Sequence, residues 1–431
     1  MHLINPSWYA HRQSRSTLCA ALEGDTQADV VIIGGGLTGL SAALTLVEAS
    51  QQVVLLEADR IGSQASGRNG GQALQGLAAS MSTVEAAVGL PAAQAIWAMS
   101  REALALLKSR VVQYQIECGL STSGYVYAAA HRGQLAELAQ WQADAASRYD
   151  YPDLQLLDHH ALQHHVRSDA YMGGLFDPHE AHLDPLAYTL GLRDAALAAG
   201  ARCHEQSAVT GWVREGSAWR VQTDKGSVLA KQLLLAVNAG IGKLAPSLAR
   251  YFLPVESFIV ATEGLGADRA RALMPSGAAV ADCHRVLNYF RISDDQRLLF
   301  GGRASGTATD RAADTRARML AVFPTLADVA IEHAWGGEVD VTPHKLPHFG
   351  RLDEGIYFAQ GFSGHGLALT GLAGKLVAEA MQGRPERFDQ FAALPQHRLP
   401  THLPGFTRTA ITLGMAWFQL RDWIDAHWYR D

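Results

Sequence analysis

The amino-acid sequence predicts an α/β protein of two domains, one built on buried parallel strands with helical crossovers and the other on a mostly antiparallel β-sheet. Three observations predict it. The stretch "DVVIIGGGLTGLSAALTL" passes from four branched apolar residues, Val30 to Ile33, through three successive glycines into apolar positions at helical spacing (Leu40, Ala43, Leu44, Val47). A strand that is apolar at every position is buried on both faces of a parallel sheet. From about Lys243 to Arg351 the text changes to alternating strands, "VESFIVAT", "NYFRIS" and "RLLFGGR", which read as a separate antiparallel domain on the substrate side. Finally "GIYFAQGFSGHGLALTGLAGKLVAEAMQG" (Gly355 to Gly383) repeats the opening order of strand, glycine-rich turn and helix, so the chain returns to its first domain.

The opening unit carries the chemistry. In Gly34-x-Gly36-x-x-Gly39 the first glycine permits the turn, the second lets a pyrophosphate approach the backbone, and the third lets the helix pack close to the strand. The helix start, at Leu37 and Thr38, offers unpaired N–H groups and a positive dipole end to phosphates. A second apolar run, Val53 to Leu56, ends in Glu57 and Ala58 about 20 residues after the glycines, where a carboxylate can accept hydrogen bonds from a ribose. Glycines alone would fit an empty turn. Strand, turn, helix, strand and terminal acid in series specify a Rossmann-like dinucleotide-binding unit.

The remaining elements follow in order. A glycine-rich loop, "GSQASGRNGGQ" (Gly62 to Gln72), precedes helical patterns from about Pro91 to Ile116 and Gly133 to Arg148, with the strand "GYVYAA" between them. Another helix spans about Asp184 to Ala199 and leads into short strands. The strand "LLLAVNAG" stops at a small-residue turn containing Asn238 and Ala239, which can close over the far end of a dinucleotide. A helix is expected near Arg311 to Ala321. In the tail, "ITLGMAWFQLRDWIDAHW" is apolar but interrupted by Arg421 and Asp422; it reads as a helix packed on the body, the alternative being a helix on a membrane surface. The expected division is 28–80, 155–242 and 351–384 for the nucleotide domain, 81–154 and 243–350 for the substrate domain, and 385–431 for a helical tail.

Bulk properties narrow the function. With 431 residues, 48% of them hydrophobic, the chain can bury a large core, and a net charge of −6 with interspersed signs gives no footprint for nucleic acid. Cys19, Cys118, Cys203 and Cys283 are far apart and form no CxxC pair, which suits a reducing cytoplasm. The N-terminus lacks a secretory pattern, and no run reaches the ~18 apolar residues a membrane span needs. "DHHALQHH" and "DPHEAHLD" crowd histidines beside acids, yet without a four-ligand pattern, so no metal is expected.

Taken together, "DVVIIGGGLTGLSAALTL…VVLLEADRIGSQASGRNGGQ", "DCHRVLNYFRIS…RLLFGGR", "LPHFGRL" and "GFSGHGLALTGLAGKLVAEA" resemble the D-amino-acid-oxidase-like flavoprotein superfamily, and within it the gamma-glutamylputrescine oxidoreductase branch. The resemblance runs from Ser7-Trp8-Tyr9 to the "GMAWFQLRDW" tail and implies FAD as the cofactor. It implies that Gly34, Gly36 and Gly39 hold the pyrophosphate and Glu57 the ribose, and that the Val209 backbone meets the adenine. Ser66, Gly67, Arg68, Asn69, Gly70, Gly71 and Gln72 would cross the isoalloxazine ring. Gly361, Phe362, Ser363, Gly364, His365, Gly366 and Leu367 would lie at its pyrimidine edge, where a helix start near Leu367 favours the negative charge of a reduced flavin.

Departures from the family pattern refine the expectation. Relatives that bind FAD covalently need a cysteine near Gly337, so FAD should be noncovalent here. Relatives acting on alpha-amino acids carry an arginine where Val339 stands, and sarcosine-type enzymes a lysine where Ala368 stands. Candidates for the substrate chemistry are His365, Arg291, Arg303 and Trp335, with Tyr289 beside them. The implied reaction is oxidation of an amine C–N bond by hydride transfer to flavin N5, the imine then hydrolysing to an aldehyde and ammonia, with oxygen or another acceptor taking the electrons. Gamma-glutamylputrescine or a related acylated amine of polyamine breakdown is the implied substrate. Two rivals stay open: a D-amino-acid or glycine/sarcosine-type enzyme whose clamp is Arg291 or Arg303, and a flavin-holding, redox-dependent binding protein without turnover.

Overall fold

The computed structural model describes the chain except residues 1–5, 14–17, 304–309, 402, 404 and 429–431. Its first sheet runs His348–Asp353, Ile356–Gln360, Gly226–Leu235, Gly24–Ile33, Val53–Leu56, Arg202–His204. The four central pairings are parallel, and the edge pair His348–Asp353 with Ile356–Gln360 is antiparallel. Alternate residues of the apolar strands feed two separate cores. Val30, Ile32, Val53 and Leu55 pack with the helices Leu37–Glu48 and Leu369–Met381, whereas Val31, Ile33, Val54 and Leu56 pack against Trp219, Val221 and Phe252 on the other face. Apolarity at every position reflects exactly this kind of two-sided burial in a parallel sheet.

The second sheet has eight strands in the order Ile331–Val341, Leu253–Thr262, Leu298–Arg303, Asn288–Ile292, Ala279–Asp282, Tyr125–Ala129, Gly173–Asp177, Gln155–Asp158. It is antiparallel except where Tyr125–Ala129 runs parallel to Ala279–Asp282. A two-stranded piece, Gln72–Ala73 with Ala181–His182, lies between the sheets in sequence and ties the glycine-rich loop to the 177–184 segment.

The domain borders differ from the sequence expectation in two places. Gln155–Asp158 and Gly173–Asp177, placed by pattern in the nucleotide domain's 155–242 segment, pair into the second sheet. Within 81–154, the helix Leu90–Gln113 buries Ile96, Leu104 and Leu107 in the same core as Leu40 and Leu372, and Arg110 donates to Ser41 at 2.7 Å. Periodicity shows that a helix or strand has an apolar face; only tertiary packing decides which domain covers it.

The C-terminal helix Phe406–Trp428 lies against the second sheet's side of the molecule, where Asp422 accepts from the backbone N–H groups of Arg285 and Val286 at 3.0 and 3.1 Å. Among the described residues no helix is long and apolar enough to cross a membrane.

Candidate cofactor and substrate site

At the end of Gly24–Ile33 the backbone leaves no room for side chains. Gly34 has φ +112°, and a Cβ there would sit 2.4 Å from the Ala236 carbonyl oxygen; one on Gly39 would sit 2.0 Å from Gly34 O. The helix begins at Leu37 without a side-chain cap from Gly36, although Leu37 N donates to Ser66 Oγ at 3.0 Å. Glu57 closes the second strand. Its carboxylate accepts from Gly35 N at 2.7 Å and from Asp59 N at 2.9 Å, and burial pushes its pKa up. Ala58 beside it is exposed, and Ser207 N donates to Glu57 O at 2.8 Å, which brings the strand starting at Val209 alongside.

A small cavity opens here between Gly35, Gly36, Glu57, Arg60, Ser63 and Ser66. Arg60 Nε and Ser63 Oγ are buried with no hydrogen-bond partner. Unsatisfied buried polar atoms beside a helix start fit a ligand that brings phosphate and hydroxyl oxygens. These residues therefore fit the adenosine diphosphate part of FAD.

The loop 66–72 is held by its carbonyls. Four in succession are met by donors from four different places: Arg68 O by Trp335 Nε1 at 2.9 Å, Asn69 O by Tyr9 Oη at 3.0 Å, Gly70 O by Arg291 Nε at 2.8 Å, and Gly71 O by Leu183 N at 2.8 Å. Gly70 and Gly71 permit that approach, since a Cβ on Gly70 would stand 2.7 Å from the Tyr289 ring and one on Gly71 2.1 Å from Leu183 O. The Asn69 side chain serves the loop itself, donating to Ala65 O and Ser66 O and accepting from Gly71 N at 2.8 Å. Arg68 Nε donates to Gly336 O at 2.6 Å, so Arg68 ties the loop to the second sheet. Gln72 reaches Tyr125 Oη at 3.1 Å and Val280 O at 3.2 Å.

Two of the residues expected at the substrate meet this loop directly. Trp335 is 1% exposed and Arg291 4% exposed, and both act on the loop backbone; Arg291 donates in addition to Leu183 O and Tyr9 Oη. The cavity that reaches Arg291 from the surface is also lined by Arg12, Glu117, Asp184 and Asp294, with Arg12 paired to Asp294. Both hold the loop backbone in place. Arg303 ends its strand opposite Ser257, and its side chain lies outside the described residues.

The third segment, 361–367, is gathered by a residue the sequence reading passed over. Asp340 is 1% exposed and its carboxylate accepts from Gly361 N; the Asn238 amide, turned with its nitrogen inward, donates to both oxygens at 2.7 and 2.9 Å. Asp340 O accepts from Ser363 N at 3.1 Å. Asn238 and Ser363 both hold left-handed backbones, φ +49° and +55°, a conformation that persists only where surroundings impose it. Asp340 thus joins the turn after Gly226–Leu235 to the glycine loop before Leu369–Met381, which begins two residues later than expected. Ala239 follows Asn238 in the same turn. His365 Nε2 donates to Gln75 O at 2.7 Å, and burial lowers its pKa, which keeps the ring neutral with Nδ1 as the acceptor.

Burial pushes the Asp340 carboxyl up to about 7. Below about pH 4 folded and unfolded chains both hold this proton. Between there and about 7 the unfolded chain has released it while the folded one keeps it, so stability falls as pH rises, by at most about 4 kcal/mol. Asp340→Asn is expected to flatten the fall of Tm between about pH 4 and 7 in the FAD-saturated protein. Parallel Tm–pH curves for variant and parent would refute it.

Facing the loop 66–72, the second sheet presents Tyr289, whose Oη lies 2.8 Å from Ser257 Oγ, and the edge-packed pair Tyr125 and Tyr127, centroids 4.8 Å apart. Tyr127 Oη donates to Glu180 Oε1 at 3.1 Å, and Gln75 links Tyr151 and Asp177. Glu180 and Asp177 are each 2% exposed, and burial raises both carboxyls. His182 is neutral, its pKa lowered to about 4 by burial; Nε2 donates to Gly277 O at 3.0 Å. Val339 is half-buried on its strand and Ala368 caps the last helix of the site. Among the described residues no group of three or more His, Cys, Asp or Glu could hold a metal ion.

Comparison with known proteins bears on this geometry. Residues 29–380 match the family described as "FAD dependent oxidoreductase". The chain is 39% identical to gamma-glutamylputrescine oxidoreductase of Escherichia coli over 423 residues, covering 96% of this chain and 98% of that one. It is 40% identical to the probable oxidoreductase OrdL of Haemophilus influenzae over 392 residues, covering 90% of each. Glycine oxidase from Geobacillus kaustophilus superposes with a TM-score of 0.69 at 20% identity over 83% of this chain and 95% of that one, a likeness of fold.

Proposed function

The chain belongs to the FAD dependent oxidoreductase family, and on that premise we propose that it oxidises the C–N bond of an amine that bears no carboxylate on the reacting carbon. Gamma-glutamylputrescine, or a related gamma-glutamyl or acylated amine, is the substrate class. The observation that carries this reading is the commitment of Arg291 to Gly70 O and Leu183 O, and the family resemblance implies a cation in amino-acid-oxidising relatives where this chain has Val339 and Ala368. The long relationship to a gamma-glutamylputrescine oxidoreductase supports it.

FAD, when bound, supplies the electron sink that accepts a hydride from the amine's alpha carbon. The protein supplies placement. Trp335, Tyr9, Arg291 and Leu183 fix the carbonyls of the loop 68–71, and burial pushes the Tyr9 phenol up to about 12, so it remains a donor. Tyr289, Tyr125 and Tyr127 wall the substrate side and exclude water from the reacting carbon. The imine product hydrolyses to an aldehyde and ammonia, and oxygen or another acceptor takes the electrons. The free cysteines suit a reducing compartment, and the cytoplasm is the proposed location.

Anaerobic mixing with a panel of amines tests the reading: gamma-glutamylputrescine is expected to bleach the oxidised flavin absorbance, and D-alanine, glycine and sarcosine to leave it. Bleaching by an amino acid alone would replace the substrate class, and bleaching by none would leave a flavoprotein without turnover. FAD is proposed to be noncovalent, because the family resemblance implies a linking cysteine near Gly337 and this chain has none there. Acid precipitation should leave the yellow colour in the supernatant; flavin in the pellet would contradict it.

A further inference from the structure

We propose that Glu180 is a positioning residue for the cofactor site: its carboxyl anchors Gln75, and the Gln75 carbonyl fixes the direction and tautomer of His365. The inference rests on FAD binding beside the loop 361–367, and not on which amine is oxidised. That loop follows the carboxyl end of Ile356–Gln360, the end of a parallel sheet where ligands bind. Glu180 reaches it through a short chain of contacts. The pairing of Ala73 with Ala181 brings residue 180 alongside the segment that leaves the glycine-rich loop. There Glu180 Oε1 accepts from Gln75 N at 3.3 Å, and Gln75 O accepts from His365 Nε2 at 2.7 Å. The rest of this segment is held as firmly. Gln75 Nε2 donates to Tyr151 Oη at 2.6 Å and to Asp177 Oδ2 at 3.1 Å, and Gly76 N donates to Ser100 Oγ at 3.0 Å. Gln75 is 6% exposed and Glu180 2%. Apolar side chains would fill this space without a desolvation cost, whereas a satisfied buried polar network fixes one geometry.

That geometry has a chemical result at His365. A carbonyl only accepts, so the ring nitrogen facing Gln75 O carries the hydrogen and Nδ1 keeps its lone pair. No described protein group donates to Nδ1. The ring N–H of an oxidised flavin is a donor that such an acceptor suits. Burial and the neighbouring Asp177 raise the Glu180 carboxyl well above its ordinary range, so at neutral pH it holds a proton, and its reach rather than its charge anchors Gln75. A glutamine has that reach; an aspartate, one methylene shorter, does not.

The test titrates the full-length apoprotein with FAD and contains no amine, so an error in the substrate class leaves it unaffected. Glu180→Asp is expected to weaken FAD binding by about three- to tenfold, and Glu180→Gln to rescue it to within about twofold of the parent. His365→Ala should weaken binding to a similar degree, and adding Glu180→Asp to it should change the affinity by less than about twofold, because both act through one contact. The opposite order, with Glu180→Gln impaired and Glu180→Asp like the parent, would overturn the proposal and make charge the function of Glu180. So would equal affinity in every Glu180 variant, or effects that add in the double variant, either of which would leave Glu180 a packing residue. A reading that needs no Glu180 variant to fold comes from the FAD-loaded parent labelled with ¹⁵N-histidine. Its difference spectrum against His365→Ala should show a protonated Nε2 and a bare Nδ1 for His365, and the opposite tautomer would refute the anchoring. In Glu180→Asp the same signals should move toward a mixture of tautomers.

Discussion

Gamma-glutamylputrescine is expected to be turned over with a kcat/KM at least about a hundredfold above that of D-alanine, glycine or sarcosine, since a missing charged contact is worth about 3 kcal/mol. An alpha-amino acid would bring its carboxylate next to the reacting carbon. Burying that group without a cationic partner costs several kcal/mol. Val339 is apolar, Ala368 is apolar and 2% exposed, and Arg291 is held at Gly70 O, Leu183 O and Tyr9 Oη. In a gamma-glutamyl amine the charged end lies far from the reacting carbon and can stay in partial solvent at the mouth of the site. Steady-state rates on the four compounds decide it. Equal or greater efficiency on any of the amino acids would show that another cation serves as the clamp.

Glu57→Arg is expected to weaken FAD binding by about 2–4 kcal/mol, roughly 30- to 1000-fold. Two losses combine. The carboxylate no longer accepts from ribose hydroxyls, and a guanidinium cannot accept from Gly35 N and Asp59 N, which Glu57 meets at 2.7 and 2.9 Å. The second loss loosens the turn that presents the helix start. Glu57→Gln, which keeps one acceptor oxygen and removes the charge, should fall between parent and Glu57→Arg when apoprotein is titrated with FAD by fluorescence quenching. Unchanged affinity in Glu57→Arg would mean that Glu57 only closes the strand and the turn.

Much of this protein was determined by the sequence alone, where the determining contacts are local. The glycine turn, the runs Val30–Ile33 and Val53–Leu56, and the helices Leu37–Glu48, Leu90–Gln113 and Arg311–Val322 follow from residue patterns within a few positions of one another, because strand pleat and helix pitch make neighbours of residues two, three or four apart. The tertiary structure decided the rest. Nothing near Gln155 or Gly173 marks those strands for the second sheet, and nothing near Trp335 or Arg291 marks them as donors to a loop 267 and 221 residues away. Tyr9 meets Asn69 across 60 residues, and Asp340 meets Gly361 across 21 and Asn238 from a different strand end. An arginine or tryptophan in a strand near the flavin has the composition of a substrate contact. Here each satisfies a buried carbonyl, and a buried carbonyl without a donor costs about 1–3 kcal/mol wherever in the chain that donor originates.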